Sequence, residues 1–406
     1  MKKIMFVVST LNTGGAQKIL SNLLVNLPDE YEADIVLNDT ENIVYPYKGN
    51  IISLGLACQA DKTKLSYQMR VFLKRIRKIK KLKKTGEYTA CISALTSANV
   101  VNILTKEKKC RVIVSEHAYM SEEQGKGIKK FLISNAIRLL YNKADQVVTV
   151  SKGVEKDLVS RFGVNKNKTI AIYNGFPLKE IKKMSDEPLQ EKEKEWIKSE
   201  ALTLVTIGRI IRTKGQWHLI RALSRVKKAF PAIRLLILGE GELEAALKKL
   251  VMDLDLEGSV IFCGFQKNPY RLMKRCDALV FPSLYEGFGN VIVEGLCCGL
   301  PCISTDFNVG AREILAPDTD MDYRISRGIE KAEYGILCPV CDGVIRGAHE
   351  KLTCEEETLA DAIIELLQNK ELREHYRSVG CKRAEDFDME NLIWEWLKVI
   401  ENETQV

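Results

Sequence analysis

Strands that alternate with helices constrain the fold of this chain more than any other feature of its sequence. Short apolar runs separated by amphipathic segments fill residues 3–172, and the same alternation starts again at residue 202 and continues to 337. This pattern is typical of a parallel sheet covered by helices on both faces. With 406 residues the chain exceeds the usual size of one domain. We therefore predict the α/β class, with two Rossmann-like, doubly wound domains.

The segment between the two runs has a different composition. Residues 179–200 are mostly charged and contain few large apolar side chains before Trp196. We interpret 179–200 as a linker, which gives an N-terminal domain over 1–178 and a C-terminal domain over 201–387. Helical patterns close the chain, and the last of them lies within 388–406.

The sequence predicts neither a membrane-spanning helix nor a metal site. Its apolar runs fall short of the ~18–20 residues that a spanning helix needs, and Ile4–Val8 is too short for the core of a signal peptide. We therefore expect the protein on the cytoplasmic side. Cys338 and Cys341 form a CxxC without two further ligands at zinc spacing. The acidic stretch 318–322 follows a proline in a polar insertion, and we interpret it as a solvated loop.

The stretch Phe281–Gly299 carries the strongest signal for a binding site. A predicted strand ends at its first residue, a glycine-containing loop follows, and the apolar segment 290–298 predicts a helix. Glu286 then lies in the loop, and Glu294 lies about one turn into the helix. A helix N-terminus offers backbone N–H groups and a positive dipole, which suit a phosphate or sugar hydroxyls.

Two cations stand at the junction that opens the second α/β run. Arg209 follows a predicted strand, and Lys214 precedes a predicted helix. Two cations beside a helix N-terminus suit a diphosphate, although ordinary loop cations are the alternative. In the first run, Gly14 and Gly15 follow the first strand and would let the backbone approach a ligand.

His117 closes a predicted strand of the first run, in the sequence Ser115-Glu116-His117. Proteins of the α/β class place ligand-binding residues at the carboxyl ends of their strands. A lone histidine is more often structural. Its position in a chain with only four histidines nevertheless makes His117 a candidate site residue.

The window from Lys62 to Lys84 holds eleven basic residues and no acid. Apolar residues recur in it at steps of three and four, which predicts a helix with one apolar stripe. A basic amphipathic helix favours an anionic membrane surface or a phosphorylated lipid. The alternatives are a solvated surface helix and a nucleic-acid site, but no signature of a nucleic-acid-binding fold accompanies the charge. The candidate acceptor or membrane contacts are Arg70, Lys74, Arg75, Arg77, Lys78 and Lys81.

An ordered set of motifs resembles one protein family along essentially the whole chain. The motifs are Gly14-Gly15-Ala16, Ser115-Glu116-His117, Gly208-Arg209 with Lys214-Gly215, Gly239-Glu240-Gly241, Cys263-Gly264-Phe265, Glu286 with Glu294, Gly310-Ala311-Arg312-Glu313-Ile314 and Tyr334-Gly335-Ile336-Leu337. They are similar to motifs of the GT-B-fold retaining glycosyltransferases of family 4. Gly310-Ala311-Arg312 and the basic helix further resemble bacterial enzymes that extend polyprenyl-diphosphate-linked glycans, such as N-acetylgalactosaminyltransferases. Gln17 stands where many members have glutamate, so we assign it no role.

This resemblance implies two domains that face each other across a cleft, with 388–406 returning to the N-terminal domain. A UDP-sugar donor would bind mainly to the C-terminal domain. Arg209 and Lys214 would stabilise its diphosphate as a leaving group in place of a metal ion, so no cofactor is expected. Glu294 would hold the ribose. The other implied contacts are Gly264, Phe265 and Gln266 at the base, Glu286, Phe288, Gly289 and Asn290 at the sugar and distal phosphate, and Gly15 and His117 from the first domain.

The resemblance also implies the reaction. We expect a retaining transferase that moves a sugar, with N-acetylhexosamine as the first choice, from a UDP-sugar to a polyprenyl-diphosphate-linked saccharide during surface glycan assembly. It would act on the inner face of the plasma membrane and without a nucleic-acid partner. The alternatives are a nucleotide-sugar-binding module without turnover and a transferase with a soluble acceptor.

Overall fold

The computed structural model describes the chain except residues 13, 42, 57–64, 124–127, 198–200 and 404–406, and it describes only the backbone of 65–68, 123 and 128–133. The chain divides into two compact units. The first unit comprises Met1–Phe176 and Asp388–Val406, and the second comprises Pro177–Phe387.

The first unit is built on one parallel sheet. Its strands are β1 (Lys2–Val7), β2 (Tyr31–Leu37), β3 (Asn50–Ser53), β4 (Ala90–Ala94), β5 (Arg111–Glu116), β6 (Gln146–Thr149) and β7 (Thr169–Ala171). Its helices up to residue 162 are α1 (Gly15–Val25), α2 (Leu65–Thr85), α3 (Thr96–Leu104), α4 (Met120–Glu123), α5 (Ile128–Tyr141) and α6 (Lys152–Phe162). The strand order is β3-β2-β1-β4-β5-β6-β7, and each described pair is parallel. The central strands are continuous apolar runs because helices cover both of their faces.

The second unit repeats this architecture. Its strands are β8 (Thr203–Ile207), β9 (Arg234–Leu238), β10 (Val260–Gly264), β11 (Ala278–Phe281), β12 (Cys302–Thr305), β13 (Glu330–Ala332) and β14 (Gly335–Cys338). Its helices are α7 (Leu178–Asp186), α8 (Glu191–Trp196), α9 (Gln216–Ala229), α10 (Glu244–Asp253), α11 (Tyr270–Met273), α12 (Asn290–Cys297), α13 (Ala311–Leu315), α14 (Cys354–Gln368) and α15 (Lys370–Glu385). The order is β10-β9-β8-β11-β12-β14-β13, with only the short edge strand β13 antiparallel among the described pairs. The predicted α/β class with two doubly wound sheets is confirmed.

The interpretation of 179–200 as a linker is wrong for its described part. Helices α7 and α8 occupy most of it and belong to the second unit. Leu178 and Ile181 on α7 are buried, and Glu193 on α8 accepts hydrogen bonds at 2.8 Å from both Nε and Nη2 of Arg271. The charged composition of the segment therefore reflects solvated helix faces and ion pairs, and the boundary between the units falls at Phe176.

The last helix, α16 (Met389–Glu401), packs in the first unit. Its apolar residues join the core beneath β1, and the Met389 N–H donates to the carbonyl of Phe176 at 2.9 Å. Nowhere in the described residues does a helix combine the length and the apolar character that crossing a bilayer requires.

Candidate functional site

The loop after β11 and the turn after β8 meet at the carboxyl edge of the second sheet. The Lys214 ammonium contacts the Glu286 carboxylate, and each side chain is 18% exposed. The Ser283 hydroxyl donates to Glu286 Oε1 at 2.8 Å. Lys214 Nζ also lies 5.2 Å from the centre of the Phe281 ring. Two predicted site residues 72 positions apart thus form one ion pair, and Ser283 joins them.

Backbone geometry fixes this arrangement. Gly215 has φ 62°, and a Cβ there would lie 2.3 Å from the Pro282 carbonyl, so glycine lets the lysine turn approach the β11 loop. Gly289, with φ 102°, begins α12 without a side-chain cap. Arg209 is exposed, and its carbonyl accepts a hydrogen bond from Gln216 Nε2 at 3.1 Å.

Glu294 lies one turn into α12 and is 4% exposed. The Tyr270 hydroxyl donates to its carboxylate at 3.4 Å. Sequence reasoning missed Tyr270 because it lies on α11, a single turn that carries no motif. The acid is therefore held inside the second unit, where a ligand hydroxyl could replace or extend the tyrosine contact.

The segment 264–266 begins at the last residue of β10, at the same edge. Phe265 is 52% exposed, and its N–H donates to Glu240 Oε1 at 3.2 Å. Gly264 has φ 68° and accepts a hydrogen bond from the Gly239 N–H at 2.9 Å. Gln266 Nε2 donates to the Cys263 carbonyl at 2.6 Å. An ordered loop therefore presents an exposed aromatic ring.

The motif at 310–312 packs against the backbone of the β11 loop. Gly310 has φ 93°, and a Cβ there would lie 1.8 Å from the Phe288 carbonyl. Arg312 is 2% exposed and donates to Asp306 at 2.7 Å and to Glu330 at 2.8 Å. The glycine allows the close backbone approach, and the buried arginine anchors the neighbouring strand ends.

In the first unit, His117 follows β5 at the carboxyl edge of that sheet. Its Nε2 lies 3.0 Å from the Ser115 hydroxyl. Burial lowers the pKa of His117 to about 4, so the imidazole is neutral near pH 7. Gly15 opens α1 at the same edge, after β1. His117 therefore directly follows a strand, as predicted, and Gly15 opens the helix that follows β1.

Helix α2 carries the basic window and places most of its charges in water. Its exposed candidates are Arg70, Lys74, Arg77, Lys78 and Lys81, whereas Lys62 and Lys64 lie outside the described residues. Arg75 is 4% exposed, and only its Nη1 has a described partner, the Ser97 hydroxyl at 2.8 Å. Burial lowers the pKa of Arg75. Assigning Arg75 to a surface contact is therefore wrong, because packing against α3 removes its side chain from solvent.

Most of the described cysteines are core residues, whereas Cys354 is exposed and Cys381 is half-buried. Cys91, Cys297, Cys302, Cys338 and Cys341 are buried free thiols. Burial raises the pKa of the Cys263 thiol to about 12. Across the described residues, no three His, Cys, Asp or Glu side chains cluster as a metal site would require.

Comparisons with known proteins give matches over both α/β runs of the sequence. Residues 13–180 match the family model Glycosyltransferase Family 4, and residues 189–320 match the model Glycosyl transferases group 1. An uncharacterized glycosyltransferase of Methanocaldococcus jannaschii is 37% identical over 69% of this chain and 69% of its own length. A Campylobacter jejuni enzyme, N-acetylgalactosamine-N,N'-diacetylbacillosaminyl-diphospho-undecaprenol 4-alpha-N-acetylgalactosaminyltransferase, is 29% identical over 98% of this chain and 100% of its own.

Solved structures share the fold. Anabaena HepE in complex with UDP and glucose superposes with a TM-score of 0.73 at 20% identity, covering 99% of this chain and 100% of its own. Sucrose-phosphate synthase from Thermosynechococcus elongatus gives a TM-score of 0.76 at 17% identity and covers 99% of each chain. With two doubly wound units and family motifs in both, the chain belongs to the group 1 glycosyltransferases, family 4, of the GT-B fold.

Proposed function

We propose that this glycosyltransferase is a retaining enzyme that moves an N-acetylhexosamine from a UDP-sugar to a polyprenyl-diphosphate-linked saccharide in surface glycan assembly. The observation that carries the donor assignment is the Lys214–Glu286 pair beside the N-terminus of α12. The Campylobacter jejuni relative acts on a diphospho-undecaprenol-linked substrate according to its name, and HepE was solved with UDP.

The proposed donor contacts combine the charges at the edge of the second sheet with the contacts that the family resemblance implies. An incoming diphosphate competes with Glu286 for Lys214, and the exposed Arg209 adds a second cation. Glu286 is then released to accept hydrogen bonds from the sugar. Two cations stabilise the leaving diphosphate electrostatically and without a metal ion. Glu294 binds the ribose, the segment 264–266 contacts the base, and the backbone of Phe288, Gly289 and Asn290 lies at the sugar and distal phosphate.

The first unit supplies the remaining groups. The neutral His117 can accept or donate one hydrogen bond to the transferred sugar without placing a charge there, and Gly15 lets α1 approach the donor. In a retaining transfer of this type, the leaving diphosphate takes the proton of the acceptor hydroxyl. No protein carboxylate then needs to act as the base.

Radiolabelled transfer from UDP-sugars to a polyprenyl-diphosphate-linked acceptor tests the donor assignment. Lys214→Ala and Glu286→Ala should each lower kcat/KM by about 100-fold or more, since each removes a charge that acts on the transition state. Lys249→Ala is the matched control, because Lys249 pairs with Asp253 on the exposed face of α10. Wild-type-like transfer by Lys214→Ala would disprove the assignment. Chelation with EDTA should leave the rate unchanged.

The acceptor assignment rests on the exposed face of α2. Met69 is 52% exposed and Leu73 is 45% exposed, one turn apart among the exposed cations, which suits an anionic bilayer surface. Flotation with phosphatidylglycerol vesicles should be lost in Arg77→Glu with Lys81→Glu. The same variant should lose lipid-linked transfer far more than donor hydrolysis, and equal losses would count against an acceptor role. Wild-type transfer only to soluble acceptors, or donor binding without turnover, would establish one of the alternatives.

A further inference from the structure

A connected set of buried polar side chains lies directly behind His117 in the first unit. Glu116 is fully buried, and its Oε1 accepts hydrogen bonds from the His117 N–H at 3.0 Å and the Ala118 N–H at 3.2 Å. Its Oε2 accepts from the Tyr141 hydroxyl at 2.6 Å and from the Thr96 hydroxyl at 3.4 Å. One carboxylate thus connects the backbone of the histidine loop to α3 and α5.

The network continues through Asn99, which is also fully buried. Asn99 Nδ2 donates to the Tyr141 hydroxyl oxygen at 3.2 Å and to the Ser115 carbonyl at 2.9 Å. Ser93 Oγ donates to Asn99 Oδ1 at 2.8 Å. Burial and the adjacent Glu116 raise the pKa of Tyr141 well above its usual value, so its hydroxyl stays protonated and donates to the carboxylate.

We propose that Glu116 and Tyr141 are positioning residues for His117, an inference that rests on the proposed function. Neither side chain reaches solvent, so neither contacts substrate. Two backbone N–H groups held by one carboxylate restrict the conformation at residues 117 and 118. The low dielectric of the interior strengthens each of these hydrogen bonds, and catalysis is sensitive to displacements of about 1 Å.

Tyr141→Phe tests the proposal, and the first unit offers a matched control. The Tyr88 hydroxyl donates to Asp34 Oδ2 at 2.5 Å, and both tyrosines are buried. Tyr88 precedes β4 and lies at the amino edge of the sheet, away from His117. Tyr141→Phe should lower kcat by about 10-fold or more with donor KM within about threefold, whereas Tyr88→Phe should keep kcat.

A second readout separates this proposal from the proposed function. In protein with labelled histidine, the His117 imidazole signal, assigned by its absence from His117→Gln, should shift or broaden in Tyr141→Phe and stay in place in Tyr88→Phe. If the two phenylalanine variants give the same His117 signal and the same kcat, the proposal is overturned. A wild-type protein that turns over no nucleotide sugar refutes the proposed function instead. Should Tyr141→Phe fail to fold, Thr96→Val removes the hydroxyl that lies 3.4 Å from Glu116 and 4.0 Å from Met120 Sδ, and it must shift the same signal.

Discussion

Substituting Glu356 with alanine should destabilise the second unit far more than the same change at the next residue. Glu356 is fully buried on α14 and accepts hydrogen bonds from Arg221 Nε at 2.9 and 3.1 Å and from His218 Nδ1 at 2.7 Å. Its neighbour Glu357 pairs with Arg225 at 3.1 Å, and their side chains are 52% and 35% exposed. Both acids pair with an arginine on α9, but only Glu356 is buried, and it also accepts hydrogen bonds from His218 and, at 3.0 Å, from the Thr353 N–H before α14.

The magnitude follows from what each variant leaves behind. Removing Glu356 leaves the Arg221 guanidinium buried without its counter-charge, which costs about 3–5 kcal/mol. Removing Glu357 costs less than about 1 kcal/mol, because an exposed pair is screened by water. Urea unfolding, with hydrogen exchange of peptides from α9 and α14, measures both values in the second unit.

The pH dependence has a definite sign. Desolvation would raise the pKa of Glu356, but hydrogen bonds from His218 and Arg221 outweigh it and hold the pKa below its usual value of 4.5. The carboxylate therefore stabilises the folded state above that value, and its contribution disappears as the pH falls through the folded-state pKa. The difference in unfolding free energy between wild type and Glu356→Ala should therefore shrink as the pH falls below 4.5.

Donor binding should weaken in Glu356→Ala as well. Arg221 Nη2 holds the loop before α14 through the Lys351 carbonyl at 2.8 Å. Gly343 in the same loop lies close to Leu284 of the β11 loop, since a Cβ at Gly343 would be 2.8 Å from the Leu284 side chain. Loosening the loop before α14 should therefore disturb the β11 loop.

A free energy of unfolding for Glu356→Ala within about 1 kcal/mol of that for Glu357→Ala would refute the reasoning.

Three further predictions concern other parts of the chain. Gly310→Ala should lose several-fold in UDP-sugar affinity by calorimetry and lower the melting temperature, since the new Cβ would meet the Phe288 carbonyl. Gly258→Ala, with open space around the new Cβ, should change stability by no more than about 0.5 kcal/mol, and equal effects would contradict the clash. Between pH 6.5 and about 4 His117 is protonated in the unfolded chain and neutral in the folded one. As the pH falls through this range, the unfolding free energy of wild type should therefore drop by up to about 3 kcal/mol relative to that of His117→Gln. Parallel plots of unfolding free energy against pH for the two proteins would contradict this. Arg75→Met should leave unfolding free energy and vesicle flotation unchanged or higher, because it removes a buried charge with unpaired nitrogens. Loss of flotation in this variant would indicate that Arg75 does contact the membrane.

Much of the candidate site could be read from local sequence. Two strand–glycine loop–helix units position these residues: Lys214 lies between β8 and α9, whereas Glu286 and Glu294 lie after β11 and in α12. The strand ends and helix starts, which the sequence indicates, determine where such residues lie. Even the burial of Arg75 had a local signal. It stands three residues after Phe72 and four before Ile79, on the apolar side of α2. Because the window holds eleven basic residues, Arg75 was grouped with the surface cations despite this position.

Other features depend on residues that are distant in sequence. The Lys214–Glu286 pair, the Tyr270–Glu294 contact and the Tyr141–Glu116 contact join different elements, and no local pattern announces them. The charges of 179–200 suggested a linker, because the sequence does not show that Glu193 pairs with the distant Arg271. By itself the sequence determined the alternation of elements, and with it the two sheets and the edges that carry the site. Tertiary structure alone decided which charged groups leave water and which partner each one finds, because desolvation depends on packing between distant elements.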